Sequence, residues 1–174
     1  MRLPPLATAL AVCALTASGA FAQQSANRVA AQTDWSVFVE GEPRECWGVS
    51  APKQTVNTRD GREVSVRRGD ILLFVSYRPA QNVSGEISFT GGYPFAEGST
   101  VSLEVGGNSY QLITDGEWAW PATPGDDARI MTEMKRGANA VLTGRSSRGT
   151  QTQDTFSLLG FTAATEEAER RCSG

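Results

Sequence analysis

Histidine is missing from all 174 residues of the chain. Its absence excludes every Ser-His or Cys-His arrangement in which an imidazole of this chain activates a nucleophile. It also removes the side chain whose unperturbed pKa lies nearest neutral pH, and it deprives any zinc site of its usual nitrogen ligand. We therefore expect no catalytic residues, no metal site and no cofactor.

Excess positive charge and long apolar runs are also lacking. The chain has 16 Lys and Arg residues against 19 Asp and Glu residues, a formal net charge of −3. Nucleic-acid binders carry a basic excess, so we expect no nucleic-acid partner. A membrane-spanning helix needs roughly 20 apolar residues. No stretch after the N-terminus approaches that length, so we expect no transmembrane segment in the mature chain.

The N-terminus has the three-part layout of a secretory signal peptide. Arg2 supplies the positive charge, an uncharged apolar run of about 12 residues follows, and 20–22 form an A-x-A cleavage site. We expect 1–22 to be a signal peptide, cleaved before Gln23. The mature protein would then lie in the periplasm, or at the outer membrane or cell surface. Lipidation at Cys13 is the alternative.

Cysteine is scarce as well, because Cys46 and Cys172 are the two that remain after such cleavage. An even number of cysteines in an exported chain usually pairs, so we expect a disulfide between them. Two free buried thiols are the alternative interpretation.

The rest of the chain consists of short strand-like segments separated by Gly, Asn, Asp and Pro. Alternation at 101–105 and 86–89 is typical of half-buried antiparallel strands. The run 71–75 is apolar throughout and predicts a central strand covered on both faces. Gly106-Gly107 and Asp60-Gly61 predict turns. The predicted strands are 35–39, 46–50, 71–77, 83–89, 101–105, 110–114, 141–145 and 155–159.

Two helices complete the predicted domain. Thr123 as N-cap and Pro124 in the first turn indicate a short helix over about 124–136. Helical spacing of Phe161, Ala164, Thr165, Ala168 and Cys172 predicts a C-terminal helix over about 162–171 that turns Cys172 towards the sheet.

The domain organisation follows from these elements. We expect a flexible leader at 23–33. A single mostly β domain, antiparallel and β-sandwich-like, would then occupy 34–174.

A possible ligand surface is indicated by Trp118 and Trp120. Residues two apart on an extended strand face the same side, so the two indoles, together with Tyr93, would form a platform of the kind that binds glycans. The alternative is that both tryptophans anchor the core or an interface before the Pro121 turn.

Two carboxylates, Asp115 and Glu117, lie near these tryptophans in the sequence. They are either a charged turn or the carboxylate pair of a hydrolase, which would require roughly 5–10 Å between the two groups across a cleft.

Two further motifs contain arginine. Arg68-Gly69-Asp70 is a tripeptide that some host adhesion receptors read, and it is also a plausible turn before the strand at Ile71. The loop 145–149 has two positive charges and is either a solvated turn or a contact for an anion or glycan.

The chain resembles the invasion-associated locus B family of exported bacterial proteins over nearly all of 28–172. The segments that carry the resemblance are 33–37 (TDWSV), 45–49 (ECWGV), 91–95 (GGYPF), 115–120 (DGEWAW), 154–161 (DTFSLLGF) and the terminal Cys172. The resemblance implies a β-sandwich-like domain in the periplasm or at the outer membrane, and members are named for a role in host-cell invasion. It supplies no catalytic residues. Many relatives have a cysteine in the first strand, where this chain has Val39.

These observations lead to one functional hypothesis and two alternatives. We expect a non-catalytic interaction protein, linked to envelope function or host-cell interaction, whose partner is an envelope protein or a glycan. The first alternative is a glycan-binding module that uses Trp118 and Trp120. The second is a hydrolase that uses Asp115 and Glu117.

Overall fold

The computed structural model describes residues 27–173, so the predicted signal peptide and Cys13 lie outside the described residues. This part of the chain forms strands, two α-helices and a 3-10 turn at Pro79–Gln81. The strands are β1 (Arg28–Gln32), β2 (Trp35–Glu40), β3 (Glu45–Ser50), β4 (Gln54–Arg59), β5 (Arg62–Glu63), β6 (Leu72–Arg78), β7 (Val83–Thr90), β8 (Thr100–Val105), β9 (Asn108–Asp115), β10 (Trp118–Pro121), β11 (Asn139–Arg145) and β12 (Gln151–Ser157). The helices are α1 (Pro124–Met134) and α2 (Phe161–Cys172).

The strands form one antiparallel sheet in the order β1-β2-β3-β6-β7-β10-β9-β8-β11-β12-β4-β5. The sheet folds over on itself, so that strands far apart in this order face each other. Phe89 on β7 meets Phe156 on β12 edge to face, with ring centroids 6.1 Å apart. Across the same core, the Trp35 indole Nε1 donates to the Ser157 carbonyl at 3.0 Å. The predicted mostly β, sandwich-like single domain is confirmed.

All eight predicted strands are present, and the largest shift in position is at β12. This strand begins at Gln151, whereas the sequence predicts 155–159. Thr152 and Asp154 point inward and are fully buried. Inward-facing polar residues hide the alternation by which a strand is recognised, so the first half of β12 carries no apolar signal.

The predicted flexible leader at 23–33 is wrong for residues 28–32, which form β1. This segment has few large apolar residues, so its order comes from pairing with β2, where Gln32 lies opposite Trp35. The end of β1 also meets the start of α2 closely. A Cβ added to Gly160 would lie 1.8 Å from the Gln32 carbonyl oxygen, and Gly160 has a φ of +91°.

The prediction that the apolar run 71–75 is covered on both faces is also wrong. Strand β6 lies inside the sheet, between β3 and β7. Leu73 and Val75 are fully buried on its inner face, but Phe74, on the outer face, is half-buried. The apolar outer face of this strand is therefore in contact with solvent.

Both predicted turns are confirmed. Gly106 and Gly107 join β8 to β9 with φ values of +60° and +83°. Asp60 and Gly61 join β4 to β5 with φ values of +51° and +74°. Two consecutive positive φ angles are what a two-residue type I′ hairpin requires.

Helix α1 begins where the sequence predicts and ends at Met134, two residues before the predicted 136. The Thr123 hydroxyl accepts a hydrogen bond from the Asp126 amide at 3.2 Å, which caps the helix. Ile130 and Met134 supply its buried face.

Helix α2 covers β2 and β3 and is cross-linked to the sheet. The residues predicted to share one face are all buried: Phe161, Ala164, Thr165, Ala168 and Cys172. The last of these forms a disulfide with Cys46 on β3, across a sequence separation of 126 residues. The predicted disulfide is confirmed. Closing so long a loop stabilises a fold by about 5 kcal/mol in the chain-entropy account.

Asp127 connects α1 to the sheet. Its Oδ1 accepts a hydrogen bond from the Ile87 amide of β7 at 2.8 Å. Burial raises the pKa of this carboxyl from 3.8 to about 6, and the negative charges of Glu86 and Asp126 act in the same direction. Because the pKa is higher in the folded than in the unfolded chain, this group contributes stability at low pH that is lost as the pH rises from about 4 to about 6.

We predict that Asp127→Asn raises the stability of the protein at pH 7. The neutral amide oxygen retains the hydrogen bond from Ile87 without the cost of burying a charge. Urea denaturation should give a higher midpoint for the variant at pH 7 and equal midpoints at pH 4, where the wild-type carboxyl is protonated. A lower midpoint for Asp127→Asn at pH 7 would show that the charged carboxylate stabilises the helix–sheet contact.

Candidate binding surfaces

Aromatic side chains are concentrated on the outer surface of one half of the sheet. Their neighbours along the strands, such as Leu73 and Ala119, are buried, so alternation turns the rings outward. The rings belong to strands β2, β3, β6 and β10. We call this set the aromatic face: Phe38, Trp47, Phe74, Trp118 and Trp120.

The rings of the aromatic face contact one another in two groups. Phe38 and Trp47 stack with centroids 5.7 Å apart and planes within 8°. Phe74 lies 5.6 Å from Trp118, which in turn lies 6.3 Å from Trp120 at an interplanar angle of 20°. A groove of about 400 Å³ is lined by Trp47 from the first group and by all three rings of the second.

Small residues on β7 allow the second group to form. In the sheet β7 lies between β6 and β10, with Ser88 opposite Phe74 and Thr90 opposite Trp118. Ser88 and Thr90 are buried although they occupy the outer face. The rings from the two flanking strands therefore meet over β7, and a large side chain at position 88 would separate them.

Charged groups border the groove at one end. Arg78 and Glu86 form an ion pair at 2.6 Å, with both side chains partly exposed. Glu45 and Ser76 line the same groove. An apolar centre with a polar border is the usual arrangement of a protein-binding surface.

Trp118 and Trp120 lie on the same side of an extended strand, as the sequence predicts for a platform. Trp118 is 38% exposed and Trp120 is half-buried, so neither indole belongs to the core. The alternative that both tryptophans anchor the core or an interface is therefore wrong for the core, and the exposure is compatible with an interface.

Tyr93 is not part of the aromatic face. Its ring packs against Phe95 at 5.1 Å, and its hydroxyl is hydrogen-bonded to the Thr152 hydroxyl at 2.5 Å. Burial raises the pKa of this phenol from its ordinary value. The guanidinium of Arg68 lies 5.0 Å from the ring centroid, close enough for a cation–π contact. The structure thus brings Trp118 and Trp120 together and places Tyr93 in a different site.

Arg68 and Asp154 form a buried ion pair beside Tyr93. Two parallel hydrogen bonds join them, Nη1 to Oδ1 at 2.7 Å and Nη2 to Oδ2 at 2.6 Å. The side chains are 6% and 0% exposed. Arg68 also donates from Nε to the Gly91 carbonyl at 2.9 Å. Receptor recognition of Arg68-Gly69-Asp70 would need this arginine at the surface, so the geometry favours the structural role of the tripeptide.

Above this ion pair the loops enclose a cleft of about 550 Å³. We call it the arginine cleft, and its charged lining residues are Arg59, Arg67, Arg68, Arg148 and Glu117. Tyr93 and Pro94 line it as well. The cleft and the groove of the aromatic face have no lining residue in common.

Asp115 and Glu117 flank the turn between β9 and β10, and both are exposed. Glu117 lines the arginine cleft, whereas Asp115 is not among its lining residues. The geometry therefore gives the hydrolase alternative no support. Within residues 27–173, no group of three His, Cys, Asp or Glu side chains is placed to hold a metal ion.

Sequence reasoning missed three members of the aromatic face: Phe38, Trp47 and Phe74. The predicted strands 35–39 and 46–50 contain the first two but do not specify the face on which they lie. Phe74 was concealed in an apolar run that predicts burial on both faces. The alternation of Phe38 with the buried Val37, and of Trp47 with the buried Cys46, is the signal that could have identified the outer face.

Comparison with known proteins identifies the family. The family model described as invasion associated locus B (IalB) protein matches residues 35–169, most of the chain. The chain belongs to the IalB family. No curated protein matches the chain.

The chain is also similar to the crystal structure of invasion associated protein B from Bartonella henselae. The match has a TM-score of 0.55 and 13% sequence identity, and it covers 83% of this chain and 98% of that one. At this identity the likeness concerns the fold and does not extend to the surfaces described above. None of the helices in 27–173 has the length and apolar character needed to cross a membrane.

We predict that Asp154→Asn lowers the free energy of unfolding by about 3–5 kcal/mol, because it leaves the Arg68 charge buried without its counter-ion. The matched control is Glu167→Gln, which removes a carboxylate of α2 whose partners, Arg170 and Arg171, are both exposed. The control should cost less than about 1 kcal/mol. Urea denaturation measures both, and equal effects would contradict a structural role for the buried pair.

Proposed function

We propose that this member of the IalB family is an exported, non-catalytic interaction protein that binds an envelope or host-surface protein through its aromatic face. In this proposal the chain is cleaved before Gln23 and acts in the periplasm or at the cell surface. The Cys46–Cys172 disulfide supports export, because such bonds persist in oxidising compartments.

The observation that carries the proposal is the exposure of connected aromatic rings on a sheet whose other face already forms the core. Trp118 is 38% exposed, and the apolar Ile113, which lies opposite Trp120 on β9, is 55% exposed. Contiguous apolar surface of this kind marks interaction sites on soluble domains. Tryptophan is also enriched among the residues that contribute most to binding energy.

The dimensions of the aromatic face favour a protein partner. The rings extend from β2 to β10, across β3, β6 and β7. Four inter-strand steps give a width of about 20 Å. A partner that covers this width would bury Phe74, on the middle one of the five strands, together with Trp118 beside it. It would leave the Arg78–Glu86 pair at the border.

We predict that Trp118→Ala abolishes most of the partner binding and leaves the fold intact. Trp118 packs against Phe74 on the middle strand of the face. Removing an interface tryptophan of this kind costs 2 kcal/mol or more, roughly a 30-fold loss of affinity. The measurement is a crosslinking pull-down from intact bacteria that express the tagged chain. Proteins recovered with wild type and lost with Trp118→Ala are quantified by mass spectrometry.

The matched control is Leu159→Ala, since Leu159 is 62% exposed and does not line the groove. Recovery with this variant should equal that of wild type. Recovery that is unchanged by Trp118→Ala, or reduced equally by Leu159→Ala, would contradict the proposal.

Glycan binding is the second candidate, and the near-parallel indoles of Trp118 and Trp120 favour it. Sugar rings stack on such indoles, and Ser76 with the Arg78–Glu86 pair would supply hydrogen bonds at the edge of the groove. The two candidates share a surface but differ in partner. Retention of the wild-type chain on a glycan array, lost with Trp118→Ala, would identify a glycan rather than a protein as the ligand.

A further inference from the structure

The arginine cleft concentrates positive charge in a chain whose formal net charge is −3. Four guanidinium groups line it, and Glu117 is the one acidic side chain among its lining residues in the described part of the chain. The charge of Arg68 is neutralised by Asp154. Arg59 donates to the Thr150 hydroxyl at 2.7 Å but has no acidic partner among residues 27–173.

No contact with another residue of the described chain explains the positions of Arg67 and Arg148. Both side chains are exposed, and neither forms an ion pair or a side-chain hydrogen bond with another residue of the described chain. They come from different segments, one before β6 and the other between β11 and β12. Two uncompensated guanidinium groups in one cleft repel each other unless an anion lies between them.

Hydrogen bonds hold the walls of the cleft in place. The Gly69 amide donates to the Gly92 carbonyl at 2.9 Å, and the Ser147 amide donates to the Pro94 carbonyl at 2.9 Å. A Cβ added to Gly92 would lie 2.6 Å from the Gly69 carbonyl oxygen. The loop that contains Gly69 and the loop that contains Gly92 are therefore in contact through their backbones. The arginines therefore project from an ordered framework, which reduces the entropy that binding would cost.

We propose that the arginine cleft binds a phosphate monoester, with Arg67 and Arg148 holding the phosphate oxygens and Arg59 adding a third positive charge. A phosphate monoester carries −1.5 to −2 charges near neutral pH. This charge matches the cleft, because the three guanidinium groups without an acidic partner among residues 27–173 exceed the one lining carboxylate, that of Glu117, by two positive charges. The guanidinium fork binds phosphate oxygens in pairs. The cleft volume of about 550 Å³ is larger than the volume of a phosphate ion. The remaining space accommodates the organic part of the ester beside Tyr93 and Pro94.

The proposal is independent of the aromatic face. It concerns different residues and a different ligand, so failure of either one leaves the other standing.

The test is isothermal titration calorimetry on the mature chain, with glycerol 3-phosphate as probe and glycerol as the uncharged comparison. Arg67→Gln and Arg148→Gln should each weaken binding by about tenfold or more, because each removes charge-assisted hydrogen bonds to the phosphate. Both variants should fold normally, since neither side chain has a hydrogen-bond or ion-pair partner among residues 27–173, and circular dichroism checks this.

The matched control is Arg145→Gln, which removes the same charge three residues from Arg148 at a position that does not line the cleft. Its affinity should stay within about twofold of wild type if contact, rather than overall charge, determines binding. Equal weakening by Arg145→Gln and Arg148→Gln would overturn the proposal.

A second experiment, with lipid vesicles, distinguishes a phosphate ester in a lipid headgroup from a soluble phosphate ester. Co-sedimentation with phosphatidylcholine vesicles that contain phosphatidic acid would identify a lipid headgroup as the ligand, provided that Arg148→Gln prevents it. Binding of glycerol 3-phosphate without co-sedimentation would identify a soluble ester. Binding in neither experiment at millimolar concentrations would overturn the proposal.

Discussion

The paired hydrogen bonds between Arg68 and Asp154 join parts of the molecule that are distant in sequence. Arg68 lies before β6, Asp154 lies on β12, and the same guanidinium contacts Gly91 and the ring of Tyr93 beyond β7. Both partners are almost completely removed from water, so each charge is acceptable only because the other is present. This pair connects the two layers of the folded sheet, and its arginine lines the arginine cleft.

The outer face of the sheet depends on a different constraint, which is the size of the residues on β7. Ser88 and Thr90 occupy outward positions, and their small side chains leave room for Phe74 and Trp118 to meet. Core packing does not explain this choice, because the inner face of β7 is already filled by Ile87 and Phe89. The proposed binding role of the aromatic face accounts for it, since the small residues allow rings from separate strands to form one apolar surface.

Much of the fold could be predicted from the sequence because local signals agree with it. The glycine turn at 106–107, the cap at Thr123 and the face of α2 that ends at Cys172 each depend on residues close together in the chain. The site could be predicted only in part. Trp118 and Trp120 share a strand, so their spacing is sufficient, whereas Phe74 and Tyr93 are positioned by strand order and loop contacts that no local pattern encodes.

The central claim is that the aromatic face is the surface on which a partner docks in the cell. The most direct measurement places the photo-crosslinker benzoylphenylalanine at position 118 in one strain and at position 159 in another, followed by irradiation of intact bacteria. Both positions are exposed, at 38% and 62%, and only the first lies on the aromatic face. The account predicts a discrete crosslinked product from position 118 and none from position 159. Products from position 159 alone, or the same products from both, would contradict it.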